Sequence, residues 1–117
     1  MSVDRILKDQ CIIALDTQDD KKLDHILSAI HGHFGWVKVG MELFYAKGPC
    51  ILETLHAKKF KIFLDLKLHD IPQTIHNSIL SLNQLPFDLL TLHLQGGNSM
   101  IKAAAEAISL NKHQARL

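Results

Sequence analysis

Apolar and polar positions alternate along this chain in a repeating order, a short apolar run followed by a stretch with helical spacing. Four runs stand out: residues 11–16 (CIIALD), Trp36–Gly40 (WVKVG), residues 61–65 (KIFLD) and residues 88–94 (DLLTLHL). They recur about every 25 residues, the size of one strand-plus-helix unit. After the first run, Leu23, Ile26, Leu27 and Ile30 follow i, i+3, i+4, i+7 spacing, and Gly32 sits where a helix ends. After the second, Gly48-Pro49 breaks the chain, and a helix with Pro49 in its first turn would bury Ile51, Leu52 and Leu55. Pro72 opens a third helix carrying Ile75, Ile79 and Leu82. Gly96, Gly97, Asn98 and Ser99 supply a loop and a cap before a fourth, with Ile101, Ala104, Ala105 and Ile108 on one face. Such alternation predicts a parallel α/β sheet with right-handed crossovers, and no linker or low-complexity stretch divides it.

Strand parity sharpens the picture, because successive side chains point to opposite faces. Ile13 and Leu15, Val37 and Val39, Ile62, Leu64 and Leu66, and Leu90, Leu92 and Leu94 form one aliphatic face suited to helix packing. The other face holds Asp16, Lys38, Asp65, Lys67 and His93 near the strand C-termini. In a barrel this second face points inward, and its C-terminal mouth is where active sites sit. An open sheet covered by helices on both sides would be aliphatic on both faces. Lys38 is the telling residue. It interrupts an apolar strand, and a buried unpaired ammonium is costly. Asp16 and Asp65, on the neighbouring strands, are its candidate partners. With Lys67 they would make one alternating network of two carboxylates and two ammonium groups. Read structurally, such a network simply stabilises a barrel mouth.

Composition narrows the function classes. The chain has 117 residues, 13 Lys+Arg against 12 Asp+Glu, a net charge of +1, 47% hydrophobic and 21% charged residues. This is the balance of one modest globular domain over residues 1–117. It gives no basic footprint for nucleic acid, no apolar run of the ~18–20 residues that span a membrane, and no signal-like block at the N-terminus. The eight histidines are scattered, and two cysteines are too few for a disulfide framework or zinc site, so a reduced, cytoplasmic protein is expected. Cys11 and Cys50 read as small apolar core residues, His69 as a packing or hydrogen-bonding residue, His93 as a partly buried structural histidine in preference to a site contact, and Trp36 and Phe63 as interior filling. The run Asp19-Asp20-Lys21-Lys22 reads as a solvated helix start with its acids at the positive dipole end.

The third run continues as FLDLKLHDIPQT, in which D-x-K-x-x-D is followed by I-P-x-T. Asp65 and Lys67 share a face, and Asp70 lies in the loop beyond. Here the chain resembles the orotidine 5′-monophosphate decarboxylase family. IIALD, VKVGMELF with the following GP, and LHLQGG resemble that family's first, second and fourth strands. Gln73 stands where Asn is usual, and Leu94-Gln95 where smaller residues are usual.

The resemblance implies a (β/α)8 barrel acting as a homodimer on orotidine 5′-monophosphate, with no metal or organic cofactor. Lys67 resembles the catalytic lysine and Asp65 its neighbouring carboxylate. Asp70 resembles an aspartate reaching the partner subunit's site, with Ile71 and Thr74 beside it, and Asp16 and Lys38 resemble a ribose-binding pair. Loss of CO2 from the pyrimidine leaves a basic carbanion that a fixed ammonium can stabilise and protonate.

A complete barrel needs about 200–250 residues, so this chain would hold the first four βα units, with two open edges and an uncovered inner face. The implied phosphate and pyrimidine contacts would fall outside it, and weak or no turnover is expected of the chain alone. Two further readings stand beside this one. Magnesium-dependent 3-keto-L-gulonate 6-phosphate decarboxylases share the barrel and the D-x-K-x-x-D strand, but Lys38 and HDIPxT disfavour them. A non-catalytic half-barrel that assembles with a complementing chain is the other.

Overall fold

The structure is a computed structural model describing residues 2–117. Met1, the first residue of the single unit expected over 1–117, lies outside the described residues. Helix α1 (Val3–Gln10) leads into β1 (Ile12–Ala14), α2 (Asp20–Ile30), β2 (Trp36–Gly40), α3 (Met41–Lys47), α4 (Cys50–Ala57), β3 (Lys61–Leu68), α5 (Pro72–Leu82), β4 (Leu89–Leu92), a 3-10 turn (Leu94–Gly96) and α6 (Asn98–Ile108). The sheet is wholly parallel, in the order β1-β2-β3-β4.

Burial follows the parity of the strands. Leu15, Val37, Val39, Ile62, Leu64 and Leu90 are buried, and they form one core with Leu23, Leu27, Leu43, Leu52, Leu55, Ile75, Ile79 and Met100 of the helices. On the opposite face Ile12 and Ala14 are exposed, and Trp36, Lys38, Phe63, Leu89, Thr91 and His93 are half-buried. Register is strongly held. A one-residue slip of β2 would turn Lys38 into the aliphatic layer, where a lone ammonium costs several kcal/mol.

Helix boundaries follow local chemistry. Asp19 caps α2 by accepting the Lys22 N–H at 2.7 Å, and Gly32, at φ +83°, follows its C-cap His31. Pro72 is the first residue of α5. Gly48 closes α3 at φ +72°, so the expected break after β2 is preceded by a short helix, and Pro49 is the N-cap of α4 rather than part of its first turn.

Several expectations are corrected. The run at 11–16 forms only a three-residue strand. Asp19 N–H turns back to Thr17 Oγ1 at 3.1 Å, and this local bond competes with the ladder, leaving Asp16 beyond the strand end. β3 runs three residues past Asp65, to Leu68. β4 ends at Leu92, and the turn bonds Gly96 N–H to His93 O and Gly97 N–H to Leu94 O lift the chain off the sheet. Leu94 is therefore 79% exposed and not part of the aliphatic face. Neither Asn98 nor Ser99 caps α6. Its N-cap is Gly97 at φ +87°, a backbone conformation that disfavours a side chain. Cys50 is exposed on the first turn of α4, its thiol donating to Lys47 O, while Cys11 is half-buried. Helix α1 had no counterpart in the strand-and-helix rhythm. Ser2 caps it, it buries no residue, and it crosses so near Gly35 that a Cβ there would lie 2.5 Å from Lys8 O.

After α6 the chain turns back and re-enters the sheet. Arg116 forms a parallel bridge with Leu89, with Leu90 N–H donating to Arg116 O and Arg116 N–H to Asp88 O. The outer edge of β4, expected to be open, thus carries the first rung of a fifth strand. Buried Asn111 holds this return, accepting from His113 N–H (2.9 Å) and Ala115 N–H (3.1 Å) and donating to Asn83 Oδ1 (2.9 Å). Asn83 in turn donates to Ala107 O. Asn111→Ala strips two buried groups, Asn83 Oδ1 and the Ala115 N–H, and the part-buried His113 N–H of their partner, and at about 1–3 kcal/mol for each buried unsatisfied group it should lower unfolding stability by at least about 2 kcal/mol in urea titration.

Candidate active site

The charged residues of the inner face converge at the C-terminal ends of β1, β2 and β3. Gly40 pairs with Asp65 across β2 and β3, and Lys38 lies two residues earlier on the same face. Gly40 lies against this cluster: a Cβ there would sit in ordinary contact, 3.5 Å from Lys38 Nζ and 3.7 Å from Asp16 Oδ1. Lys38 Nζ lies 3.5 Å from Asp16 Oδ1 and 3.4 Å from Asp65 Oδ2, and Lys67 Nζ lies 2.8 Å from the same Asp65 Oδ2. The alternating order Asp16, Lys38, Asp65, Lys67 is the one parity suggested.

Its members differ in environment. The Asp65 side chain is 9% exposed, Lys67 55% and Asp16 61%. Asp16 therefore adds little, since an exposed pair is worth about 0–1 kcal/mol. Asp65 is the hub. Burial alone would raise its pKa, but the Lys67 ammonium, the Thr91 hydroxyl and the Lys38 ammonium together outweigh that and hold the carboxyl below the ordinary carboxylate range. One buried carboxylate so anchors two ammonium groups. Lys67 spends one N–H on Asp65 and keeps the rest of its charge and protons facing the open mouth, where they can meet a developing anion.

Thr91, on the inner face of β4, completes the hub. Its hydroxyl donates to Asp65 Oδ1 at 2.9 Å and accepts the Lys67 N–H at 2.8 Å. Strand parity places Thr91 on this face, opposite Leu90 and Leu92, but does not assign it a part. The available signal was a lone hydroxyl within DLLTLHL.

Asp70, Ile71 and Thr74 are not brought into this network. They lie exposed on the β3–α5 connection and the first turn of α5. Asp70 Oδ1 accepts the Ile71 N–H at 2.7 Å, and Ile71 is 66% exposed. With His69, Pro72, Gln95 and Gly96, Asp70 and Ile71 line a shallow depression beside the mouth. His69 stacks on His93 with ring centroids 4.8 Å apart, the packing role expected of both. Trp36 is half-buried under the Lys61 ammonium, and Phe63 lines an apolar pocket with Leu89 and Leu92. Asp20, at the start of α2, pairs with Lys47. No helix among the described residues is long and apolar enough to cross a membrane.

The profile of the Orotidine 5'-phosphate decarboxylase / HUMPS family matches residues 9–115. Proteins named orotidine 5'-phosphate decarboxylase from Bacillus cytotoxicus and Bacillus cereus strain Q1 are each 46% identical to this chain over 105 residues. The match takes in 90% of this chain and 44% of each of theirs, so the chain spans under half the length of these relatives. Among solved structures, an uncharacterized conserved protein from Geobacillus kaustophilus superposes with a TM-score of 0.80 at 38% identity, over 91% of this chain and 49% of that one. Orotidine 5'-phosphate decarboxylase from Lactobacillus acidophilus gives 0.73 at 40% identity, over 90% and 46%.

A carboxyl whose folded pKa is lowered contributes stability above its unfolded pKa, and that contribution is lost as pH falls through the folded value. The stability advantage of the native chain over Asp65→Asn should therefore be full at pH 7 and shrink on acidification below about pH 4. Urea midpoints of the two proteins across this range measure it.

Proposed function

The chain belongs to the Orotidine 5'-phosphate decarboxylase / HUMPS family, folded as about half of a (β/α)8 barrel, and from that premise we propose that it carries the charged half of a site that decarboxylates orotidine 5′-monophosphate to UMP. The observation that carries this reading is the Asp65 carboxylate shared by Lys38 and Lys67 at the strand C-termini. In the reaction the bond from C6 of the pyrimidine to its carboxylate breaks, CO2 leaves, and the electron pair stays on C6 in the ring plane, where the ring cannot delocalise it. Lys67 stabilises that pair through its ammonium charge and then gives C6 a proton, ending as the amine. Asp65 orients Lys67 and stands near the departing carboxylate. Asp16 and Lys38 take the ribose hydroxyls.

Asp70, Ile71 and Thr74 serve a neighbouring subunit in a homodimer. Their exposure on the β3–α5 connection supports this, because exposed residues beside the mouth that join no contact of their own network are accessible to another subunit. The reaction belongs to pyrimidine biosynthesis in the cytoplasm. Residues 1–117 form the βα units that supply the lysines, and the phosphate is bound by the units this chain does not span. Substrate phosphate binding drives chemistry at a distant carbon in such a site, so the chain alone should turn over orotidine 5′-monophosphate poorly.

UMP formation decides between this reading and a purely structural half-barrel. The chain mixed with the remaining βα units of the Bacillus cereus relative should form UMP, and Lys67→Ala should lower the rate about 100- to 1,000-fold or more, since it removes both a charge-stabilising group and the proton donor. A rate near that of the unsubstituted mixture would overturn the assignment of Lys67. Substantial kcat/KM from the chain alone would overturn its dependence on the other units.

A further inference from the structure

Between β3 and β4 the ladder slips. Leu64 pairs with Leu90 and Leu68 with Leu92, so four residue steps on β3 face two on β4. Within this slip Lys67 adopts φ +49°, the left-handed region that a side chain enters at a cost of about 1–2 kcal/mol. An outlier of this kind persists only where its surroundings enforce it. The Lys67 N–H donates to Thr91 Oγ1, whose single proton goes on to Asp65 Oδ1. With Oδ1 engaged, Oδ2 is left to receive both ammonium groups. The direction of bonding runs one way, N–H to hydroxyl to carboxylate, so each bond polarises the next.

We propose that Thr91 is a positioning residue: its hydroxyl locks Lys67 into the left-handed backbone conformation and turns the Asp65 carboxylate so that the Lys67 ammonium is held facing the mouth. As a statement about catalysis this rests on Lys67 being the reacting lysine. As a statement about geometry it does not. Valine at this position would match threonine in shape and keep the strand, yet it offers neither the acceptor nor the donor. Serine would keep both.

The test is made on the full chain without substrate, so it stands or falls separately from the decarboxylase reading. Thr91→Val should speed amide hydrogen exchange at Lys67 about tenfold, the scale of one hydrogen bond, while other β3 amides keep their protection. The Asp65 carboxyl 13C titration should move to higher pH, its remaining neighbours being Lys38, Lys67 and Asp16. Thr91→Ser should restore both readings. Unchanged exchange and titration in Thr91→Val would overturn the proposal, as would loss of protection spread evenly over the sheet. Should Thr91→Val not fold, Thr91→Ala is read by the same two measurements. Failure of both to fold beside an intact Thr91→Ser would overturn it too, by showing a hydroxyl that the whole sheet requires.

Discussion

Two ammonium groups cannot share one strand mouth without a counter-ion, and the structure meets that constraint with a single buried carboxylate. Asp65 Oδ2 lies within 2.8 Å of Lys67 and 3.4 Å of Lys38, while Oδ1 is held by Thr91. Much else in the local fold serves this arrangement. β2 must present Lys38 away from the helices, and β3 breaks its ladder where Lys67 turns to meet Asp65. Replacing such a cluster by apolar residues of the same shape often stabilises a protein. Folding energy therefore gives no reason for the cluster, whereas the proposed chemistry at the strand mouth does.

Helices α2 to α6 contribute to one core on one side of the sheet, which separates the two demands made on each strand. Aliphatic residues at Val37, Val39, Ile62, Leu64 and Leu90 pack against helices and hold the register. The alternate positions are released from that duty and can carry charge. A doubly covered sheet has no such freedom, because both faces must be apolar. The half-buried state of Phe63, Leu89 and Thr91 follows from the same architecture: their face looks into the interior of a barrel of which this chain spans about half.

Much of this was legible in the residues. Lys38 in WVKVG and the Asp65–Lys67 spacing stand out because charge at alternate positions of an apolar strand needs a partner, and parity says where that partner lies. Thr91 was not legible, since its part depends on a register slip marked by neither glycine nor proline. Asp16 was placed correctly in the network but not beyond the strand end, because the Thr17–Asp19 bond that ends β1 is a local competition invisible to periodicity. Cys50 is exposed rather than in the core, because small apolar character does not reveal which side of a helix a residue occupies. Helix α1 was passed over because it buries nothing, and amphipathic spacing is persuasive only where a core receives it. Leu94 belongs by parity to the aliphatic face, but parity stops where the chain leaves the sheet.

The bridge between Arg116 and Leu89 sets a phase. Paired residues of parallel strands project to the same side, so position 116 shares its side with Leu89 and position 117 with Leu90. Any polypeptide grafted after residue 117 inherits that odd-even assignment if it continues the strand, and a graft designed with the opposite alternation would offer its greasy side chains to the cavity and its polar ones to the helices.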